Sequence, residues 1–180
     1  MNTSGTVNWS GLLQDIVDDL AHERGQGRVA TYIPPLANVD PNKLGIALAL
    51  PNGRVFHAGD AAERFSIQSI SKVFTLALAL PLDSEGLWRR VGREPSGSRF
   101  NSLVQLETER GIPRNPFINA GALVVTDVIL DHLDDAKLTL LDLVRRLSGS
   151  TDVNYDQTVA QGEQATGERN KAMAWFIRSF

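Results

Sequence analysis

Ser69 and Lys72, three residues apart, are the sharpest chemical signal in the chain. Three positions along a helix bring two side chains onto the same face. A serine hydroxyl is a poor nucleophile at neutral pH and needs a base within hydrogen-bond reach. A lysine can serve as that base when apolar surroundings lower its pKa. Here Val73, Phe74, Leu76 and Leu78 follow directly. At a helix start, backbone N–H groups and the positive dipole end can also steady a developing oxyanion. The chemistry this pair suits is acyl transfer through a serine ester. The same residues equally suit a capping serine and a surface lysine, so Ser-x-x-Lys alone leaves both readings open.

Other chemistries find less support. The chain has no cysteine, which excludes disulfides, a thiolate nucleophile and zinc–thiolate sites. His22, His57 and His132 are scattered and suit structural or solvated roles. Asp131, Asp134 and Asp135 read as a solvated turn rather than a metal site, and Gly92, Gly97 and Gly111 lack the spacing of a phosphate loop. A net charge of -3 and a pI near 5.6 provide no basic field for nucleic acid or an anionic membrane.

The 180 residues, 42% hydrophobic and 22% charged, suit one globular domain with a real core. Residues 1–8 read as a flexible end without the basic-then-apolar pattern of a signal peptide. The longest apolar-rich stretch, residues 73–82, is too short to span a bilayer. A cytoplasmic location is the resulting expectation.

Several elements must position the pair. Ser10 is placed to cap a helix with Leu12, Leu13, Ile16, Val17 and Leu20 on one face. Tyr32-Ile33-Pro34-Pro35 reads as extended. Residues 44–50 and 54–58, joined by Pro51-Asn52-Gly53, predict a β-hairpin. A buried helix is expected from near Ser69 through residue 80, then a short one over 87–91. Turn-rich stretches at 92–101 and 111–117 precede an apolar helix over 120–133. Thr139 and Asp142 have capping-box spacing for another helix. Residues 150–170 are polar, and 171–180 begin a final amphipathic helix.

The segment Phe65-Ser66-Ile67-Gln68-Ser69-Ile70-Ser71-Lys72-Val73-Phe74 resembles the nucleophile segment of the serine-dependent glutaminase family. Further blocks follow the same order. They are Tyr32-Ile33-Pro34, Glu94-Pro95-Ser96-Gly97 with Phe100-Asn101, Asn115-Pro116-Phe117-Ile118-Asn119-Ala120-Gly121-Ala122, and Thr166-Gly167-Glu168-Arg169-Asn170. Several separated blocks in order are far more specific than any one of them.

The resemblance implies hydrolysis of L-glutamine to glutamate and ammonia, with Ser69 as nucleophile and Lys72 as general base. It places Asn119, Glu163 and Asn170 among the substrate-binding residues, with Tyr32 and Gln68 close to the same pocket. A carboxylate such as Glu163 suits the substrate ammonium, and asparagine amides can both donate and accept. Each has a plainer reading: Asn119 and Asn170 as helix caps, Glu163 as a solvated carboxylate, Tyr32 as packing.

The implied fold is α/β (α+β), similar to β-lactamases and penicillin-binding proteins, with a mainly antiparallel sheet flanked by helices. No metal or organic cofactor is implied, and a homo-oligomer, specifically a homotetramer, is. Residues 9–180 then form the N-terminal portion of a single glutaminase domain. Family members continue past this point, and the apolar ending Trp175-Phe176-Ile177-Arg178-Ser179-Phe180 looks cut. The fold is therefore expected to be incomplete at its C-terminus, and the 180-residue chain weakly active or inactive alone. Two alternatives stay open: a penicillin-binding or β-lactamase-like acyl enzyme, and a non-catalytic binding or oligomerisation module.

Overall fold

A computed structural model describes residues 7–180. Most of the expected flexible end, residues 1–8, thus lies outside the described residues. The chain divides after Ser66 into two compact units.

The N-terminal unit packs one helix on a hairpin. Helix α1 (Trp9–Asp19) is capped by Asn8 rather than Ser10, because the Asn8 amide oxygen accepts from Gly11 N–H at 3.1 Å. Strands β1 (Gly45–Ala49) and β2 (Val55–Gly59) pair antiparallel. Gly53 takes φ +83° at the turn between them. Ile46 opposite Ala58 and Leu48 opposite Phe56 share the face that packs on Leu13 and Val17 of α1. The extended reading of the Tyr32 segment holds only to Ile33. Pro34–Asn38 instead forms a 3-10 turn, with proline at its first positions where a missing N–H is harmless.

The C-terminal unit is helical. Helix α2 (Ser71–Arg90) runs through the position of the expected gap, but with a break at Asp83 (φ -154°, ψ 78°) just after Pro81. The Asp83 carboxylate accepts from Gly86 N–H at 2.8 Å and restarts the helix. The short helix expected over 87–91 is this second stretch. Helix α3 (Leu103–Thr108) is capped by Ser102.

Helix α4 (Asn119–His132) buries Ala120, Gly121, Val124, Val125, Val128 and Ile129. It packs on Ala79, Leu87 and Val91 of the α2 segment to make the main core. Burying each Val or Leu contributes about 1.5–3 kcal/mol, so the α2–α4 contact is the strongest constraint in this unit.

Three boundaries differ from the sequence reading. Helix α5 (Ala136–Ser148) begins three residues before Thr139, because Asp135 caps it through Leu138 N–H at 3.0 Å. That carboxylate of the acidic cluster is a helix cap. The polar stretch before residue 170 contains helix α6 (Gln157–Thr166), capped by Asp156. Helix α7 (Glu168–Arg178) starts at Glu168, which places Asn170 inside the helix. Met173 of α7 closes a second core with Leu106 and Ala120.

Among the described residues the expected antiparallel sheet consists of β1 and β2 alone. The fold is mixed α/β and rich in helix. No described helix is long and apolar enough to cross a membrane.

One glycine sets the start of α4. A Cβ on Gly121 would lie 1.9 Å from the Asn115 carbonyl oxygen and 2.9 Å from Pro116 Cα. Both are backbone atoms, so relief requires moving the helix or the loop. Gly121→Ala is expected to lower stability by about 1–3 kcal/mol. The check is the urea midpoint of the variant beside the parent; an unchanged midpoint would contradict this packing.

Candidate active site

Ser69 lies on a one-turn 3-10 segment (Gln68–Ile70) that leads directly into α2. Gln68, just before it, adopts φ +45°. A non-glycine residue in the left-handed region costs roughly 1–3 kcal/mol and is held only when its surroundings over-determine it. The strain falls one residue before the candidate nucleophile, and Ser69 itself is exposed. Lys72, the second residue of α2, is half-buried.

The Lys72 amine makes two hydrogen bonds. Nζ donates to the Phe117 carbonyl at 3.0 Å and to Asn119 Oδ1 at 2.8 Å. The other end of the Asn119 amide donates from Nδ2 to Asn170 Oδ1 at 3.2 Å. Three of the expected site residues, from α2, α4 and α7, are therefore joined in one chain of contacts. No hydrogen bond links Ser69 to Lys72 among the described residues. The Phe100 ring centre lies 5.7 Å from Nζ, near the outer limit of about 6 Å for a useful cation–π contact. Burial holds the Lys72 pKa below the ordinary lysine value.

Tight local structure holds this cluster. The Asn115 side-chain oxygen accepts from Phe117 N–H at 3.0 Å and Ile118 N–H at 3.2 Å. Its Nδ2 donates to the Glu94 carbonyl at 2.8 Å. Asn119 N–H donates to the Phe100 carbonyl at 2.8 Å. Arg169 reaches the Asn101 carbonyl at 3.3 Å. Asn119 is the first residue of α4, not its cap, and its side chain is thereby free for Lys72.

Glu163 lies on α6 and is half-buried, with no hydrogen bond to Lys72, Asn119 or Asn170 among the described residues. Tyr32 belongs to the N-terminal unit and is 71% exposed. Gln68 is the residue with left-handed backbone just before Ser69. The sequence reading assigned no role to the Phe117 carbonyl, Asn115 or Arg169. Their one signal was membership of the blocks around Asn119 and Asn170; a main-chain carbonyl carries no residue-type signature of its own.

A family model described as Glutaminase matches residues 27–180. A glutaminase of Paraburkholderia phytofirmans is 52% identical over 174 residues, which cover 97% of this chain and 57% of that protein. Among solved structures, a probable glutaminase, ybaS, superposes with a TM-score of 0.82 at 35% identity, covering 94% of this chain and 56% of the other. The probable glutaminase from Bacillus subtilis, complexed with 6-diazo-5-oxo-L-norleucine, gives a TM-score of 0.77 at 30% identity and covers 96% and 52%. The chain thus spans little more than half the length of the relatives it matches. With the family model matching residues 27–180 and the fold superposing over 94% of the chain, this chain belongs to the glutaminase family.

Proposed function

We propose that Ser69 and Lys72 carry out hydrolysis of L-glutamine to glutamate and ammonia. The observation that supports this most is a half-buried lysine amine, held by two uncharged acceptors, one helical turn from an exposed serine on a strained backbone. In its neutral form Lys72 takes the proton from Ser69 Oγ, which attacks the side-chain carbonyl carbon of glutamine. The C–N bond breaks as the Lys72 ammonium returns that proton to the leaving nitrogen, and ammonia departs. Water then attacks the ester, with the amine again accepting the proton, and glutamate leaves with Ser69 restored.

Glu163 suits the substrate ammonium, and Asn119 and Asn170 suit the remaining polar groups of the amino acid. Tyr32 and Gln68 are proposed as further substrate-binding residues on the family resemblance alone. Residues 9–180 are read as part of a single glutaminase domain, a reading supported by a family match that runs across the boundary at Ser66. The protein is proposed to act in the cytoplasm as a homo-oligomer, with a homotetramer the specific form expected.

Labelling of the chain tests the nucleophile without requiring turnover. The diazoketone bound by the Bacillus subtilis relative has the shape of glutamine, and its adduct is expected on Ser69 by peptide mass spectrometry. Ser69→Ala should carry no adduct; modification of that variant at an equal rate would sink the assignment.

The pH dependence has a defined sign. Lys72 must be neutral to accept a proton, and burial lowers its pKa. The labelling rate should therefore rise with pH, with a midpoint below about 10.4, the ordinary lysine value. A rate that is flat with pH, or a midpoint at the ordinary value, would count against Lys72 as the base.

A further inference from the structure

We infer that Asn119 is a positioning residue for Lys72, with Asn170 accepting from the far end of the Asn119 amide. The inference deepens the proposed function and rests on Lys72 being the base there.

The argument begins with donor and acceptor counts. A neutral lysine amine has two N–H donors and one lone pair, whereas the ammonium has three donors and none. The protein supplies two oxygen acceptors, Phe117 O and Asn119 Oδ1. Two acceptors satisfy the neutral amine completely and leave its lone pair a single direction. They leave the ammonium one donor short of an oxygen acceptor among the described residues. The two acceptors thus fix the direction of the amine, and the third position on the nitrogen is the one left for its lone pair when neutral.

An asparagine amide could present either end to Nζ, and only Oδ1 can accept from it. The bond to Asn170 is consistent with that orientation. Asn170 Oδ1 accepts from Asn119 Nδ2 at 3.2 Å, with the Asn119 oxygen toward Lys72. The Asn119 backbone is held independently, through its N–H on the Phe100 carbonyl.

Nearby charges leave this arrangement undisturbed. Glu168 of α7 is paired with Lys171, and Arg169 reaches the Asn101 carbonyl. Asp127 of α4 is paired with Arg90. No ion pair engages Lys72 among the described residues, so its acceptors are neutral dipoles on two sides and an aromatic ring on a third.

Competitive acetylation of the full 180-residue chain with acetic anhydride, read by mass spectrometry across pH, reports the Lys72 titration midpoint directly. Asn119→Asp keeps the side chain's shape but places a carboxylate on Nζ. Asn170 can accommodate it by turning its own amide to donate. That variant should raise the Lys72 midpoint by at least about one pH unit. Asn119→Leu, an apolar near-isostere, removes an acceptor of the ammonium and should lower the midpoint. A lysine freed by unfolding would instead titrate at the ordinary value in both variants. An unmoved midpoint in whichever variant retains the parent's melting transition overturns the inference, since an asparagine that only binds substrate leaves the free protein's Lys72 unaffected. Acetylation needs no glutaminase activity. Shifted midpoints without Ser69 labelling would support the positioning role while removing the function; Ser69 labelling with unmoved midpoints would do the reverse.

Discussion

An amine taken partly out of water must have its N–H groups accepted by protein oxygens, or its burial is too costly to keep. At Lys72 both acceptors come from one short stretch, the Phe117 carbonyl and the Asn119 side chain. The geometry of residues 115–121 thereby becomes the geometry around the Lys72 amine. Asn115 folds that stretch by accepting two successive N–H groups. Gly121 lets α4 start against the Asn115 carbonyl at a distance no other residue permits. Segments around Glu94, Phe100 and Asn101 are drawn in by hydrogen bonds to Asn115, Asn119 and Arg169.

The scaffold is strong enough to hold these demands. The left-handed Gln68 costs roughly 1–3 kcal/mol. Against it stands an α2–α4 core in which Ala79 and Leu87 are completely buried and Val125 nearly so. One such Leu or Val already matches the strain. Ion pairs contribute less. Arg90 with Asp127 and Lys171 with Glu168 are both substantially exposed, and pairs of that kind are worth about 0–1 kcal/mol. Apolar packing between α2 and α4 sets the spacing of the site; charge pairing decorates its outside.

The electrostatic character of the cluster follows from what surrounds it. Lys72 is approached by a carbonyl, an amide oxygen and a ring face, with no carboxylate among its hydrogen-bond partners. A carboxylate there would hold the proton on the amine. Neutral dipoles orient the group without pinning its proton as a carboxylate would, and burial lowers its pKa.

Much of the fold was legible from residue pattern. The hairpin followed from a strong turn signal between two short strands. The long apolar helices followed from periodicity. Boundaries were less secure where a short polar side chain outcompeted a recognised motif, as with Asn8 over Ser10 and Asp135 over Thr139. The break within α2 depends on Asp83 capping its own helix three residues on, a local bond that Pro81 alone does not announce.

By itself, the sequence determined which residue types are available for chemistry: a serine and a lysine at helical spacing, and asparagines in ordered family blocks. Tertiary structure decided that Lys72, Asn119 and Asn170, from three helices up to 98 positions apart along the chain (170 minus 72), meet in one line of hydrogen bonds. It also decided that Lys72 takes its bonds from Phe117 and Asn119, not from Ser69. The physical reason is that local propensity acts over a few residues, whereas the acceptors of a buried amine are supplied by whichever distant backbone the packing of α2 against α4 brings beside it.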